Sequence, residues 1–206
     1  VKWPDIQYHF LPGAITYDGG VAFKGHGFQV HIGHNKPTSR GHVRAISADI
    51  KQHPEILFNY LATEHDRQGF RDCVHLTREI MAQPAMDAYR GDVIQPLAEI
   101  QTDEQIDAFI RASVDSAYHP AGTCKIGVDA MAVVDPDLRV RGLKNLRVID
   151  SSVFPTVPNG NLNAPTMMLA ERGADLIKGT TEPSASAAVY IDEQWQTRQR
   201  ECVTVQ

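Results

Sequence analysis

Short strand-forming stretches separated by glycine- and proline-containing turns occupy the first third of this 206-residue chain. They are IQYHFLP (6–12), FQVHIGH (28–34) and SRGHVRAIS (39–47). In the second stretch Phe28, Val30 and Ile32 alternate with Gln29 and His31, which is the period of a half-buried strand. Since parallel strands need long crossover connections, consecutive strands with such short punctuation predict an antiparallel sheet.

The middle of the chain shows helical periodicity. Residues 63–83 repeat apolar and small side chains at helical spacing; Thr63 with Asp66 indicates an N-cap, and Pro84 closes the segment. A second helix is predicted from the capping-box spacing of Thr102 and Gln105, and we expect it to end just ahead of Pro120.

A strand and a third helix are predicted after position 140. The strand LRVID (146–150) leads through a loop rich in proline, glycine and asparagine into a helix with Pro165 in its first turn and Gly179 at its end. Residues 181–206 are polar and weakly patterned, and we interpret them as a surface tail.

Charge and composition exclude several classes of protein. The formal net charge is −5 and no basic run is long enough to follow a phosphate backbone, which argues against nucleic acid as a partner. The chain shows no signal peptide and no apolar stretch approaching the roughly 20 residues of a membrane span. Three scattered cysteines suit a reducing compartment. These features predict a protein that is cytoplasmic or peripherally associated with a membrane.

The stretch YHPAGTC (118–124) raises the question of a metal or catalytic site. Zinc sites need three or four ligands, usually in close pairs, and His119 and Cys124 have no second pair. A further group, His26, His31 and His34, lies on a strand and the turns around it. We therefore predict no metal site; a structural histidine at a helix end and a catalytic base both stay open for His119.

Several segments resemble the C-terminal part of the glucose-methanol-choline (GMC) oxidoreductases. They are YHPAGTCKIG, VVDPDLRVRGLKNLRVIDSSVFP and NGNLNAPTMMLAERGADLI, in the order found in that family. PDIQYHFLP, SRGHVRAISAD, ILFNYL and FRDCVHLTREIMAQPAMDAYRG are most similar to the members that oxidise choline. Separate motifs in the correct order make chance similarity a poor explanation.

The resemblance implies a flavoprotein that transfers hydride from an alcohol to FAD. It assigns catalysis to His119 and to Asn161, and it implies that Cys124 packs near the base as a small buried hydrophobe. The residues that it places against the flavin are Asp150, Ser151, Asn163, Ala164, Pro165 and Thr166.

For the fold, the resemblance implies an α/β (α+β) architecture that forms only part of the family's structure. Residues 1–117 would be an incomplete substrate-binding domain, with an antiparallel sheet and helices. Residues 118–180 would return into the FAD-binding domain. No Gly-x-Gly-x-x-Gly turn is present in the chain, and it begins with Val1, so we expect the N-terminal FAD-binding portion of the same protein as a missing partner. Alone, the chain is expected to be inactive.

The expected substrate is a small-molecule alcohol, choline, which would be oxidised to betaine aldehyde on the route to glycine betaine. A respiratory quinone is the expected electron acceptor, with oxygen as the alternative. Two other hypotheses remain open: a family member that acts on another primary alcohol, and a binding module without flavin.

Overall fold

The computed structural model describes residues 4–15 and 25–180. Its strands are β1 (Ile6–Leu11), β2 (Gln29–His34), β3 (His42–Arg44) and β4 (Glu55–Leu57), and its helices are α1 (Glu64–Met81), α2 (Asp103–Ser113) and α3 (Asn163–Lys178). Two short 3₁₀ helices span Pro84–Met86 and Ser151–Val153. The expected polar tail, 181–206, lies outside the described residues.

The strands form two antiparallel pairs, β1 with β2 and β3 with β4. The predicted mixture of helices and antiparallel strands is therefore confirmed. No helix within the described ranges is both long and apolar enough to cross a bilayer.

The ribbon of β1 and β2 has two chemically different faces. Because side chains alternate along a strand, Tyr8 and its partner Ile32 share a face with the pair Ile6 and His34. This face packs on α1, where the Thr77 hydroxyl donates to the Tyr8 hydroxyl at 3.2 Å. The opposite face is polar. All six residues of β2 are half-buried. The predicted alternation along this strand is therefore one of apolar and polar side chains, without a matching alternation in burial.

Helices α1 and α2 begin where their caps were predicted. Thr63 accepts a hydrogen bond from the backbone N–H of Asp66, and Thr102 with Gln105 forms a complete capping box. Arg71 on α1 donates twice to Asp107 on α2, each time at 2.7 Å. Leu61, Val74, Ile106 and Ile110 are buried beside this ion pair and form the first hydrophobic cluster.

The predicted end of α2, just before Pro120, is wrong. The helix ends at Ser113, and Val114 is extended. Beyond the helix, the Asp115 carboxylate accepts a hydrogen bond from the backbone N–H of Ser116. The Ser116 hydroxyl accepts one from the backbone N–H of Tyr118. Side chains that bond to nearby backbone in this way offer an alternative to the helical ladder. His119 therefore lies in a loop and not at a helix end.

The predicted strand 146–150 is also wrong. Within the described residues only an isolated bridge, between Arg139 and Arg147, touches this segment. Leu138 and Asn145 have positive φ angles of 64° and 59°, so the chain turns too sharply for a continuous ladder to form.

A second hydrophobic cluster lies in this C-terminal region, with Val134, Leu138 and Val153 at its centre. Helix α3 packs on the cluster through Leu169 and Leu176. As predicted, α3 has Pro165 in its first turn and ends at Gly179, which takes the left-handed conformation with φ of 73°.

Candidate functional site

The loop that contains His119 lies beside the 3₁₀ helix Ser151–Val153. The backbone N–H of Cys124 donates to the Ser152 carbonyl at 2.9 Å, and that of Ile126 donates to the Val153 carbonyl at 2.8 Å. Gly122 has φ of 91°, and a Cβ there would lie 3.2 Å from the Phe154 carbonyl oxygen. The glycine of the motif is needed both for its left-handed backbone and for this close approach.

His119 itself is half-buried. Among the residues that the structure describes, its ring has no hydrogen-bond partner. Neither ring nitrogen is therefore engaged by a side chain or backbone group of the described residues. Cys124 is half-buried, so within the described residues its thiol is less enclosed than we expected.

Asp150 and Ser151 begin that 3₁₀ helix. The Asp150 carboxylate accepts from the N–H of Ser152 at 2.8 Å and so acts as its N-cap. This hydrogen bond engages one carboxylate oxygen of Asp150, and the side chain remains exposed.

Asn161 is held by a residue far away in the sequence. Its Oδ1 accepts from Nε2 of Gln7, on the polar face of the β1–β2 ribbon, at 2.7 Å. Nearby, Lys36 donates to the Val157 carbonyl at 3.1 Å. The ribbon is thus fastened to the loop before α3, and the Asn161 amide is left with its NH₂ group as a donor.

The first turn of α3 presents unpaired backbone donors. No side chain caps it within the described part of the chain, since the N-cap residue is the buried Leu162. Pro165 has no N–H, and the first intrahelical bond runs from the N–H of Thr166 to the Leu162 carbonyl at 3.0 Å. The N–H groups of Asn163 and Ala164 lie at the positive end of the helix dipole, on an exposed turn.

The structure thus brings the His119 loop together with the Asp150–Ser151 turn, and Asn161 together with Gln7. In the described ranges no hydrogen bond joins His119 to Asn161. Sequence reasoning missed Gln7. The strand period places Gln7 on the polar face of β1, but nothing in the sequence pairs it with a residue 154 positions away.

Comparison with known proteins shows the family. Residues 37–170 match the family model described as GMC oxidoreductase. The chain belongs to the GMC oxidoreductase family. This confirms the resemblance and the partial GMC fold that it implied.

Among curated proteins, the chain is 61% identical over 203 residues to the oxygen-dependent choline dehydrogenase of Photobacterium profundum. That alignment covers 97% of this chain and 36% of the relative, so the chain spans about a third of the length of that enzyme.

Solved structures of GMC enzymes share the fold. Pyridoxine 4-oxidase from Mesorbium loti superposes with a TM-score of 0.80 at 30% identity, over 87% of this chain and 35% of that one. A formate oxidase variant from Aspergillus oryzae RIB40, studied for its FAD modification, gives a TM-score of 0.75 at 25% identity, over 87% and 32%.

Proposed function

We propose that this chain is the C-terminal part of an FAD-dependent oxidoreductase that converts the primary alcohol of choline to betaine aldehyde, a step toward glycine betaine. The observation that carries the proposal is the 61% identity to a choline dehydrogenase over 203 residues. The side chains of His119 and Asn161 offer the two groups that such an oxidation needs, a base and a hydrogen-bond donor.

His119 is the proposed catalytic base. An alcohol gives up hydride readily only as its hydroxyl proton leaves, and an imidazole is largely neutral at physiological pH and able to accept that proton. Once protonated, the ring stabilises the negative charge on the substrate oxygen. The absence of a hydrogen-bond partner for His119 among the described residues supports this role, because no internal contact has to break first.

Asn161 is the proposed second catalytic residue. With its Oδ1 occupied by Gln7, its NH₂ group is turned away to donate a hydrogen bond to the same substrate oxygen. The amide does not compete as a base, and it fixes the direction in which the substrate carbon points. Gln7 is then a positioning residue that acts through Asn161.

The turn at the start of α3 fits the pyrimidine side of a flavin. FAD, when bound, supplies the hydride acceptor. The uncapped N–H groups of Asn163 and Ala164 and the helix dipole favour negative charge at this position, while Pro165 and Thr166 are half-buried behind them. We propose that Asp150 and Ser151 border the same cofactor from the neighbouring turn.

We propose the domain division of the sequence analysis as well, with residues 1–117 in the substrate-binding domain and 118–180 in the flavin domain. The two hydrophobic clusters support it, since the first lies within residues 61–114 and the second within residues 126–176.

Two electron acceptors are candidates. The resemblance to dehydrogenases favours a respiratory quinone, which would place the enzyme at a membrane surface. The name of the Photobacterium relative specifies oxygen dependence. Oxygen consumption measured with and without a soluble quinone during choline turnover decides between them.

The test is His119→Ala in the full-length protein, with His53→Ala, an exposed histidine in the connection between β3 and β4, as the matched control. Loss of the base should lower kcat for choline by about 10²–10⁴-fold at unchanged FAD content. Normal turnover by His119→Ala would overturn the proposed role.

The unsubstituted full-length protein tests the identity of the substrate. Choline oxidation should be inhibited competitively by other trimethylammonium compounds. A preference for an uncharged primary alcohol would support the proposed alcohol oxidation but would reject choline as the substrate.

A further inference from the structure

Two imidazole rings lie edge to face on the side of the β1–β2 ribbon away from Gln7. Nε2 of His34, at the end of β2, lies 3.1 Å from Nε2 of His65, in the first turn of α1. The ring centroids are 5.0 Å apart and the ring planes are inclined by 60°. A carboxylate oxygen of Asp66 joins them, and all three ligand atoms lie within 4.8 Å of one another.

A glycine on α1 makes room for this arrangement. Gly69 lies one helical turn after His65, and a Cβ at this position would come within 3.1 Å of Cγ and Nδ1 of His34. With hydrogen in place of a side chain, the His34 ring rests directly on the helix. The position of His34 is therefore determined by packing as well as by its strand.

Asp66 is fixed more firmly still, with only 2% of its surface exposed. Its Oδ1 accepts from the N–H and the hydroxyl of Thr38, and its Oδ2 accepts from the N–H of Ser39. The Ser39 hydroxyl bonds to the same carboxylate. These four bonds occupy the roughly four acceptor positions of a carboxylate, so a bound cation would displace the Ser39 hydroxyl.

The cluster borders an acidic cleft of about 350 Å³. Three further carboxylates, those of Asp5, Glu64 and Asp72, line this cleft together with His34 and His65. Glu64 is paired with Arg67 and Arg71, so the negative charge that would attract a cation to the cleft comes from Asp5 and Asp72.

We propose that His34, His65 and Asp66 bind one divalent transition-metal ion of the zinc class, at a site separate from the proposed catalytic residues. Metal–nitrogen bonds of about 2.0–2.1 Å in tetrahedral geometry separate two ligand nitrogens by roughly 3.3 Å, close to the 3.1 Å between the two imidazole nitrogens. The Asp66 oxygen lies within 4.8 Å of the other ligand atoms and would move closer to them when the ion binds. Two imidazoles and one carboxylate leave a fourth position for a water or an anion from the cleft.

The sequence grouped the histidines differently. His26, His31 and His34 are close in sequence, but an odd separation along β2 places His31 and His34 on opposite faces of the ribbon. The helix that packs on one of these faces supplies His65 and Asp66. The prediction that the chain has no metal site took neither residue into account.

The competing account is a simple hydrogen bond between two neutral imidazoles, and Co²⁺ titration separates the two. The full-length protein is stripped with a chelator, titrated with Co²⁺ alone, and followed by the visible absorption of four-coordinate cobalt. One ion per chain, displaced by Zn²⁺, is the expected result. Absence of stoichiometric binding would overturn the proposal and leave the hydrogen-bonded pair.

Variants locate the ion. His34→Ser and His65→Leu should each weaken Co²⁺ binding by roughly 100-fold or more, since loss of a partner in the shell outside the ligands already costs 10–100-fold. His75→Ala, an exposed histidine on the same helix, is the matched control and should bind as the parent does.

Gly69→Ala tests the positioning of His34 without removing a ligand, and it should weaken binding by displacing the ring. Because His65 is exposed, His65→Leu is expected to fold, which circular dichroism checks. Unchanged Co²⁺ affinity in a folded His65→Leu protein would contradict the proposed metal site.

Discussion

Gln7 and Asn161, which lie 154 positions apart in the sequence, are joined by a hydrogen bond of 2.7 Å from Nε2 to Oδ1. The bond fastens β1 to the loop that precedes α3. It also determines which end of the Asn161 amide faces away from the ribbon.

Removal of the Gln7 amide should lower catalysis without removing a catalytic residue. In Gln7→Leu the Asn161 side chain can rotate, and we expect kcat/KM for choline to fall by about 10–100-fold, the cost of a misplaced group. The loss should be much smaller in an Asn161→Ala background, because Gln7 acts through Asn161. Steady-state kinetics of the four proteins in this cycle measure the coupling. Gln52→Leu, an exposed glutamine in a turn, is the control; equal losses in both backgrounds would contradict the positioning role.

Asp66 should make stability depend on acid pH. Burial raises the pKa of this carboxyl, but hydrogen bonds from Ser39 and Thr38 outweigh burial and lower it to about 2. A carboxyl with a depressed folded pKa stabilises the protein above its unfolded pKa of about 3.9, and this contribution disappears as the pH falls toward 2.

The measurement is urea unfolding of Asp66→Asn beside the parent protein. The variant should lose on the order of 2 kcal/mol of unfolding free energy near neutral pH, and the difference should shrink as the pH is lowered. Asp137→Asn removes an exposed carboxylate that pairs with Arg139, and it should change stability little. A difference for Asp66→Asn that is constant with pH would refute the assignment.

Gly173 sets the distance between α3 and the segment before the 3₁₀ helix. A Cβ at this position would lie 2.4 Å from Cγ2 of Ile149. Gly173→Ala should therefore destabilise the protein by about 1–3 kcal/mol, although alanine favours helix elsewhere. Gly91→Ala, where a Cβ would meet nothing within 4 Å, should be neutral or slightly stabilising. Thermal unfolding of the two variants tests the contact, and equal melting temperatures would show that Ile149 yields without cost.

Cys73 should be chemically inert in the folded protein. Burial raises the pKa of its thiol to about 12, and only 1% of the residue is exposed. Since the thiolate is the reactive form, alkylation should be slower by about 10³-fold or more than for an ordinary thiol. Mass spectrometry after iodoacetamide treatment should find Cys124 modified before Cys73, and Cys73 modified only after urea. Early modification of Cys73 would mean that α1 opens readily.

Local signals in the sequence determined where α1 and α2 begin and the antiparallel direction of the strands. Thr63 and Thr102 begin α1 and α2 as their spacing predicted, because an N-cap bond joins residues only three positions apart. The antiparallel direction was predicted correctly, but the strand partners were not. The predicted strands at 28–34 and 39–47 lie in different sheets, and β4, the partner of β3, was not predicted. The end of α2 was predicted wrongly. The helical pattern of the sequence continues past Ser113, but hydrogen bonds from backbone N–H groups to the side chains of Asp115 and Ser116 end the helix.

The motifs placed the chain in its family, while the contacts between distant segments depended on the tertiary structure. Gln7 meets Asn161, and His34 meets His65, only because the β1–β2 ribbon packs on α1 with one face and on the loop before α3 with the other. A sequence pattern records the period of a strand, and therefore which side chains share a face. The pattern does not reveal which segment packs against that face, because burial and packing depend on the whole folded chain.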